Sequence, residues 1–138
     1  MKQARRRLIQ ERKGLYLILT EPRVPHVELA VAAIDLGVPV IQLREKKLDD
    51  NDLLTLARRL SALLRGSETL FIVNDRPDVA AEVGADGVHV GVSDVGYRHA
   101  RSVVGPHALV GLSTRTPEEA ASASRTGADY PGIGPVFP

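Results

Sequence analysis

The stretch LFIVNDRPDVAAEVGADGVHVG, residues 70–91, contains a whole strand–helix–strand unit. Residues 70–73 are a continuous apolar run of strand length, the pattern of a strand covered on both faces. Asn74-Asp75-Arg76-Pro77 stops it. Pro77 fits the first turn of a helix, where a missing N–H loses no bond. Residues 78–83 carry that helix to a stop at Gly84. Residues 87–90 then repeat the apolar run. Two strands joined through a helix lie parallel, since antiparallel neighbours are joined by short hairpins.

The same unit recurs on both sides. Apolar runs predict further strands over 15–19, 38–43, 108–112 and 130–135. Val27, Ala30, Val31 and Ile34 recur at helical spacing, and Gly37 stops them. Leu53, Leu56, Leu60, Leu63 and Leu64 mark a long helix capped by Asp49 or Asp50. A helix over 97–104 ends at Gly105-Pro106. Thr116, Pro117 and Glu119 supply the N-cap, first-turn proline and capping-box carboxylate of a last helix, which runs to Gly127. The sum is βα five times and then a sixth strand, a parallel α/β fold.

The chain has 138 residues, 43% hydrophobic and 25% charged, as expected of one globular domain. Its 18 basic and 17 acidic side chains leave a net charge of +1, which gives no reason to expect nucleic acid as a partner. The absence of cysteine excludes disulfides, zinc–thiolate sites, iron–sulfur clusters and thiol nucleophiles. No apolar run approaches the roughly 18 residues that span a membrane, so no membrane partner is expected. Residues 1–13 carry Lys2, Arg5, Arg6, Arg7, Arg12 and Lys13, and the apolar stretch behind them is too short for a signal peptide. They are expected as a solvated helical arm on a cytoplasmic protein, with one βα domain over residues 14–138.

Pattern alone does not separate a closed barrel from an open sheet. The strand ends favour the barrel. Gln42, Arg44 and Lys46, then Asn74 and Asp75, then Asp94, then Ser113 and Thr114 all follow apolar runs. In a βα-barrel every C-terminal strand end converges on one mouth. An open sheet gathers ligand groups mainly at its switch point. No G-x-G-x-x-G or Walker A pattern follows any strand.

Alternation puts Gln42, Arg44 and Lys46 on one face, with Leu43 and Glu45 on the other. An amide, a guanidinium and an ammonium together suit a phosphate or diphosphate. They equally suit a solvated strand end, with Arg44 or Lys46 paired to Glu45 or Asp49. Asn74 and Asp75 read either as a helix cap or as ligands of phosphate and magnesium. Asp94 reads as a second magnesium carboxylate or as a loop residue. His89, inside an apolar strand, reads as a hydrogen-bonded core histidine rather than a base. His26, His99 and His107 have no recognisable partner and are taken as surface or packing residues. Ser113 lacks a nucleophile elbow and triad context; its hydroxyl can donate to phosphate.

The series QLREK (42–46), NDR (74–76), GADGVHVG (84–91) with Asp94, GLST (111–114) and GADYPGIGPVFP (127–138) resembles the thiamine-phosphate synthase family, in its order and spacing. The resemblance implies a TIM (β/α)8-type barrel, of which this chain carries about the first six strands and five helices. It implies a magnesium-dependent transferase of thiamine biosynthesis, joining hydroxymethylpyrimidine diphosphate to thiazole phosphate with release of diphosphate. It makes Gln42, Arg44, Lys46 and Asn74 the diphosphate-side contacts, with Arg44 and Lys46 catalytic through charge. It makes Ser113 a further substrate contact, and Asp75 and Asp94 the magnesium ligands.

The chain also departs from the family pattern. Arg115 stands at the usual histidine of GLSTRT, Val92 at a usual glutamine, and the proline expected after Asp94 is displaced. Pro131 interrupts the last strand, where proline suits only an edge. The family's Thr-rich, Lys-bearing loop and two further βα units would follow Pro138. An incomplete barrel is therefore expected, without synthase activity when made alone, and either self-associating through its open edges or marginally folded. Two alternatives stay beside the transferase: a non-catalytic remnant that binds diphosphate and magnesium, and a thiazole tautomerase-like isomerase on the same fold.

Overall fold

The computed structural model describes residues 9–11 and 13–137, apart from the side chains of Asp94 and Val95. The order is β1 (Tyr16–Leu19), α1 (His26–Asp35), β2 (Val40–Leu43), α2 (Asp50–Leu64), β3 (Leu70–Asn74), α3 (Pro77–Val83), β4 (Gly87–Val90), α4 (Asp94–Val104), β5 (Leu109–Thr114), α5 (Pro117–Thr126) and β6 (Tyr130–Ile133). Every pairing is parallel and the strands lie in chain order, β1 to β6. An open doubly wound sheet would reverse that order at a switch point. Here nothing reverses, and the sheet curls into a half-barrel. The described residues contain six of the eight strands of a closed ring, so the complete barrel is not present among them.

Alternation along the strands explains the two cores. Leu17 and Leu19, Ile41 and Leu43, Phe71 and Val73, Val88 and Val90, and Val110 and Leu112 point outward and pack under the helices. Each such side chain removed from water contributes about 1.5–3 kcal/mol. Their neighbours point inward. Val40, Leu70, Ile72 and Leu109 form a smaller inner cluster with Ile9 and Tyr16 packed against it. Residues 9–11 make one helical turn; the rest of the expected basic arm, except Lys13, lies outside the described residues. No helix among the described residues is long and apolar enough to cross a membrane.

The helix starts refine the sequence reading. Asp49 caps α2, accepting the Asp52 N–H at 2.8 Å. Ser93 caps α4 by accepting the Gly96 N–H at 2.8 Å, so that helix begins at Asp94, three residues before the start expected at residue 97. Asp94 is thus the first helical residue, not a loop residue. Thr116 accepts the Glu119 N–H at 3.1 Å, as its capping role requires. Glu119 reaches back one residue further than a capping box, to the Arg115 N–H at 2.6 Å. The N-cap of α3 is Arg76, with no side-chain cap bond, so neither Asn74 nor Asp75 caps it.

A Gly-Ala-Asp motif fixes strand register twice. Asp86 accepts the Phe71 N–H at 2.8 Å through its side chain. Asp129 does the same for the Val110 N–H, also at 2.8 Å. Asp129 additionally holds Arg101 at 2.9 Å, and Arg101 donates to the carbonyls of Gly105 and Ala108. Pro131 lies on β6, opposite Leu112 of β5.

Candidate active site

The inward-facing residues at the C-terminal ends of the strands line one cavity of about 780 Å³. Gln42 and Arg44 reach it from β2 and the residue after it, Asn74 from β3, His89 from β4, and Ser113 from β5. Convergence follows from the curl and from alternation: Gln42, Asn74 and His89 share the inner face of their strands. Lys46 and Asp75 sit just outside that lining. The Lys46 Nζ lies 3.9 Å from the Asp75 Oδ2, with the two side chains 60% and 52% exposed. The pairings first weighed for Arg44 and Lys46, with Glu45 or Asp49, do not occur.

Glu45 instead turns to the other face. Its Oε1 accepts the Glu21 N–H and lies 3.3 Å from His26 Nε2. His26, expected to be without a partner, has this one. The pair ties the segment after β1 to the end of β2. Arg76 does similar work next door, with its guanidinium 2.6 Å from Asp50 and 2.8 Å from Asp78. Those two carboxylates raise its pKa further above an already high value. The tie joins the starts of α2 and α3 and braces the Asn74–Asp75 turn.

Asp75 holds a backbone conformation that side chains rarely adopt, with φ at +58°. Its N–H donates to the His89 carbonyl at 2.8 Å, which keeps the turn in place. Strain at a strand end, in a residue that caps nothing, is typical of a ligand-binding position.

Inside the cavity a hydrogen-bonded chain runs across the sheet. Gln42 Nε2 donates to the Tyr16 hydroxyl at 2.8 Å. That hydroxyl lies 2.8 Å from the Tyr130 hydroxyl, which is 3.3 Å from His89 Nδ1. His89 Nε2 is 2.8 Å from Ser113 Oγ. Burial lowers the His89 pKa, and the charge of Asp75 partly opposes that shift. Burial also raises Tyr16, against the hydrogen bonds from Tyr130 and Gln42, and it raises Tyr130 still more. The chain therefore presents neutral donors and acceptors to the cavity. His89 is buried and hydrogen-bonded as expected, but it faces the cavity and not the helix layer. Its other nitrogen meets a tyrosine and not a carboxylate, so with Ser113 it does not assemble a triad.

Tyr16 and Tyr130 were missed from sequence. Each sits at the start of an apolar run and passes there for core. Only the inward register, two residues before Ile18 and Gly132, separates them from the outward residues.

Residues 15–138 match the family model for thiamine monophosphate synthase.

The chain belongs to the thiamine monophosphate synthase family.

A thiamine-phosphate synthase of Rhodopirellula baltica is 43% identical over 136 residues, 98% of this chain and 36% of that protein. One from Chlorobium phaeovibrioides is 42% identical over 126 residues, 91% of this chain and 60% of that protein. The structure of a thiamine phosphate pyrophosphorylase from Pyrococcus furiosus superposes with a TM-score of 0.82 at 38% identity, over 98% of this chain and 64% of that one. This chain thus spans between about a third and two-thirds of the length of these relatives.

Family membership brings magnesium into question, and the donors present can be tested for it. Among the described residues no group of three or more His, Cys, Asp or Glu is placed to hold a metal ion. An all-protein cage is therefore absent from them. Magnesium, however, commonly takes one or two carboxylates and completes its shell with water and substrate phosphate. The half-exposed Asp75 carboxylate, 3.9 Å from Lys46 Nζ, fits that mode. The side chain of Asp94, the second expected ligand, lies outside the described residues.

Proposed function

We propose that this chain supplies the diphosphate-binding side of a thiamine-phosphate synthase site. The product bond would join the methylene of hydroxymethylpyrimidine diphosphate to the ring nitrogen of thiazole phosphate. The observation that carries the reading is the convergence of Gln42, Arg44, Asn74, His89 and Ser113 on one cavity from four consecutive strands. Family membership supports the same reaction.

In this reading the carbon–oxygen bond to the diphosphate breaks, its electron pair leaves with the diphosphate, and the thiazole nitrogen supplies the pair for the new carbon–nitrogen bond. Negative charge grows on the leaving group. Arg44 and Lys46 stabilise it as fixed cations, an effect that strengthens towards the transition state. Asn74 and Ser113 donate neutral hydrogen bonds to the same oxygens. Gln42, with the Tyr16–Tyr130–His89 chain behind it, orients the pyrimidine ring. Asp75, together with Asp94, would hold magnesium, which when bound adds positive charge beside the diphosphate. No residue need act as a strong base, because the attacking nitrogen carries no proton to remove.

The test is thiamine phosphate formation from the two substrates by a complete barrel that carries this sequence, comparing the parent with Arg44→Lys. Lysine keeps the charge but loses the two-pronged fork. A fall in turnover of about tenfold or more is expected, since one charged hydrogen bond contributes about 1.5–3 kcal/mol. Unchanged turnover would remove Arg44 from the site.

A further inference from the structure

Two arginines line the cavity, and the proposed function uses only one. Arg44 enters from the end of β2 and Arg115 from the end of β5. No aspartate or glutamate stands among the described residues that line it. Neither guanidinium has a hydrogen-bond or ion-pair partner among the described residues. By contrast, Arg76 is gripped by Asp50 and Asp78, and Arg58 by Glu82. A cleft lined by one sign of charge draws in ligands of the other sign.

The backbone holds Arg115 at this place. Its N–H is bound by Glu119 at 2.6 Å. Thr114, immediately before it, is buried, and its hydroxyl donates to the Gly132 carbonyl at 2.9 Å. The Glu119 carboxylate is thereby engaged at the main chain of Arg115, while the guanidinium stays free.

We propose that Arg115 is a second guanidinium for the diphosphate group, contacting it from the β5 side of the cavity while Arg44 contacts it from the β2 side. The inference rests on the diphosphate-binding reading above and extends it to a residue outside the proposed set. Arginine suits the role because its fork remains charged at any physiological pH and can bind two phosphoryl oxygens at once.

Calorimetric titration with inorganic pyrophosphate tests it without any need for turnover. The parent is compared with Arg115→Gln, Arg115→Lys and Arg44→Gln, with inorganic phosphate as second probe and circular dichroism as a check on folding. Arg115→Gln should weaken pyrophosphate binding about tenfold or more with an unchanged spectrum, and Arg115→Lys should recover part of the loss. If Arg44→Gln weakens binding and Arg115→Gln does not, the inference on Arg115 is overturned and the diphosphate reading stands. If neither weakens it, both are overturned. If Arg115→Gln weakens phosphate but leaves pyrophosphate unchanged, Arg115 serves a monophosphate and the proposal fails.

Discussion

The hydroxyls of Tyr16 and Tyr130 lie 2.8 Å apart, although they belong to β1 and β6, the two ends of the six-stranded sheet. Their rings are 5.9 Å apart between centroids. A flat sheet would separate strands five places apart by well over 20 Å, at about 4.8 Å per strand. The contact is therefore a direct measure of how far the sheet has curled, and it places both phenols inside the half-barrel.

Both phenols have pKa values raised by burial. Their folded pKa lies above the unfolded one, so their contribution to stability is complete below the ordinary tyrosine value near 10 and is lost as pH climbs past it towards the folded value. Denaturation midpoints measured from about pH 9 to 11 should fall steeply for the parent. The slope should be shallower for the Tyr16→Phe, Tyr130→Phe double variant. Equal slopes would mean that the two phenols titrate normally.

Gly111 makes room for the His89–Tyr130 contact. It pairs with His89 on one side and Tyr130 on the other. A Cβ there would stand 2.3 Å from Tyr130 Cζ and 2.6 Å from His89 Nδ1. Gly111→Ala should cost about 1–3 kcal/mol in urea denaturation, the usual range for overpacking. Gly91→Ala, with nothing within 4 Å of its Cβ, is the control and should cost much less. Equal losses at the two sites would contradict the packing described.

Asp129 is fully buried at its side chain and serves Arg101 and the Val110 N–H together. Asp129→Ala leaves a mostly buried guanidinium without its charge partner and should cost about 3–5 kcal/mol. Asp129→Asn keeps an acceptor for Val110 and should cost less. Thermal melting of both variants checks the order; an Asn variant as stable as the parent would show that the charge contributes nothing, and an Asn variant less stable than the Ala variant would contradict the account.

Asp75 separates function from stability. Its left-handed backbone suits glycine better, and its exposed 3.9 Å contact with Lys46 contributes little. Asp75→Gly should hold or raise the melting temperature while abolishing any effect of magnesium on pyrophosphate binding. A large fall in melting temperature would mean that the carboxylate is structural.

Most of the fold was legible because the outward strand faces are unbroken apolar runs and most helices end at glycine. Gly84 and Gly127, both left-handed, closed their helices as read. The start of α4 was not legible: Ser93 is an ordinary loop serine until its hydroxyl meets the Gly96 N–H. Residues following an apolar run stand out by polarity, which is how Arg44, Asn74 and Ser113, which line the cavity, and Asp75, just outside it, can be singled out. Tyr16 and Tyr130 were hidden because an inward tyrosine and a core tyrosine look alike in one dimension. His26 was hidden because its partner, Glu45, lies 19 residues away and meets it only through the loop geometry after β1.

Magnesium titration in the presence and absence of inorganic pyrophosphate tests the central claim most directly. Asp75, 3.9 Å from Lys46 and just outside the cavity lining, offers one carboxylate, so the ion needs phosphate oxygens to complete its shell. Magnesium should bind measurably only when pyrophosphate is present, and Arg44→Gln should weaken that joint binding. Equal magnesium affinity with and without pyrophosphate would contradict the assignment of this cavity as a diphosphate site.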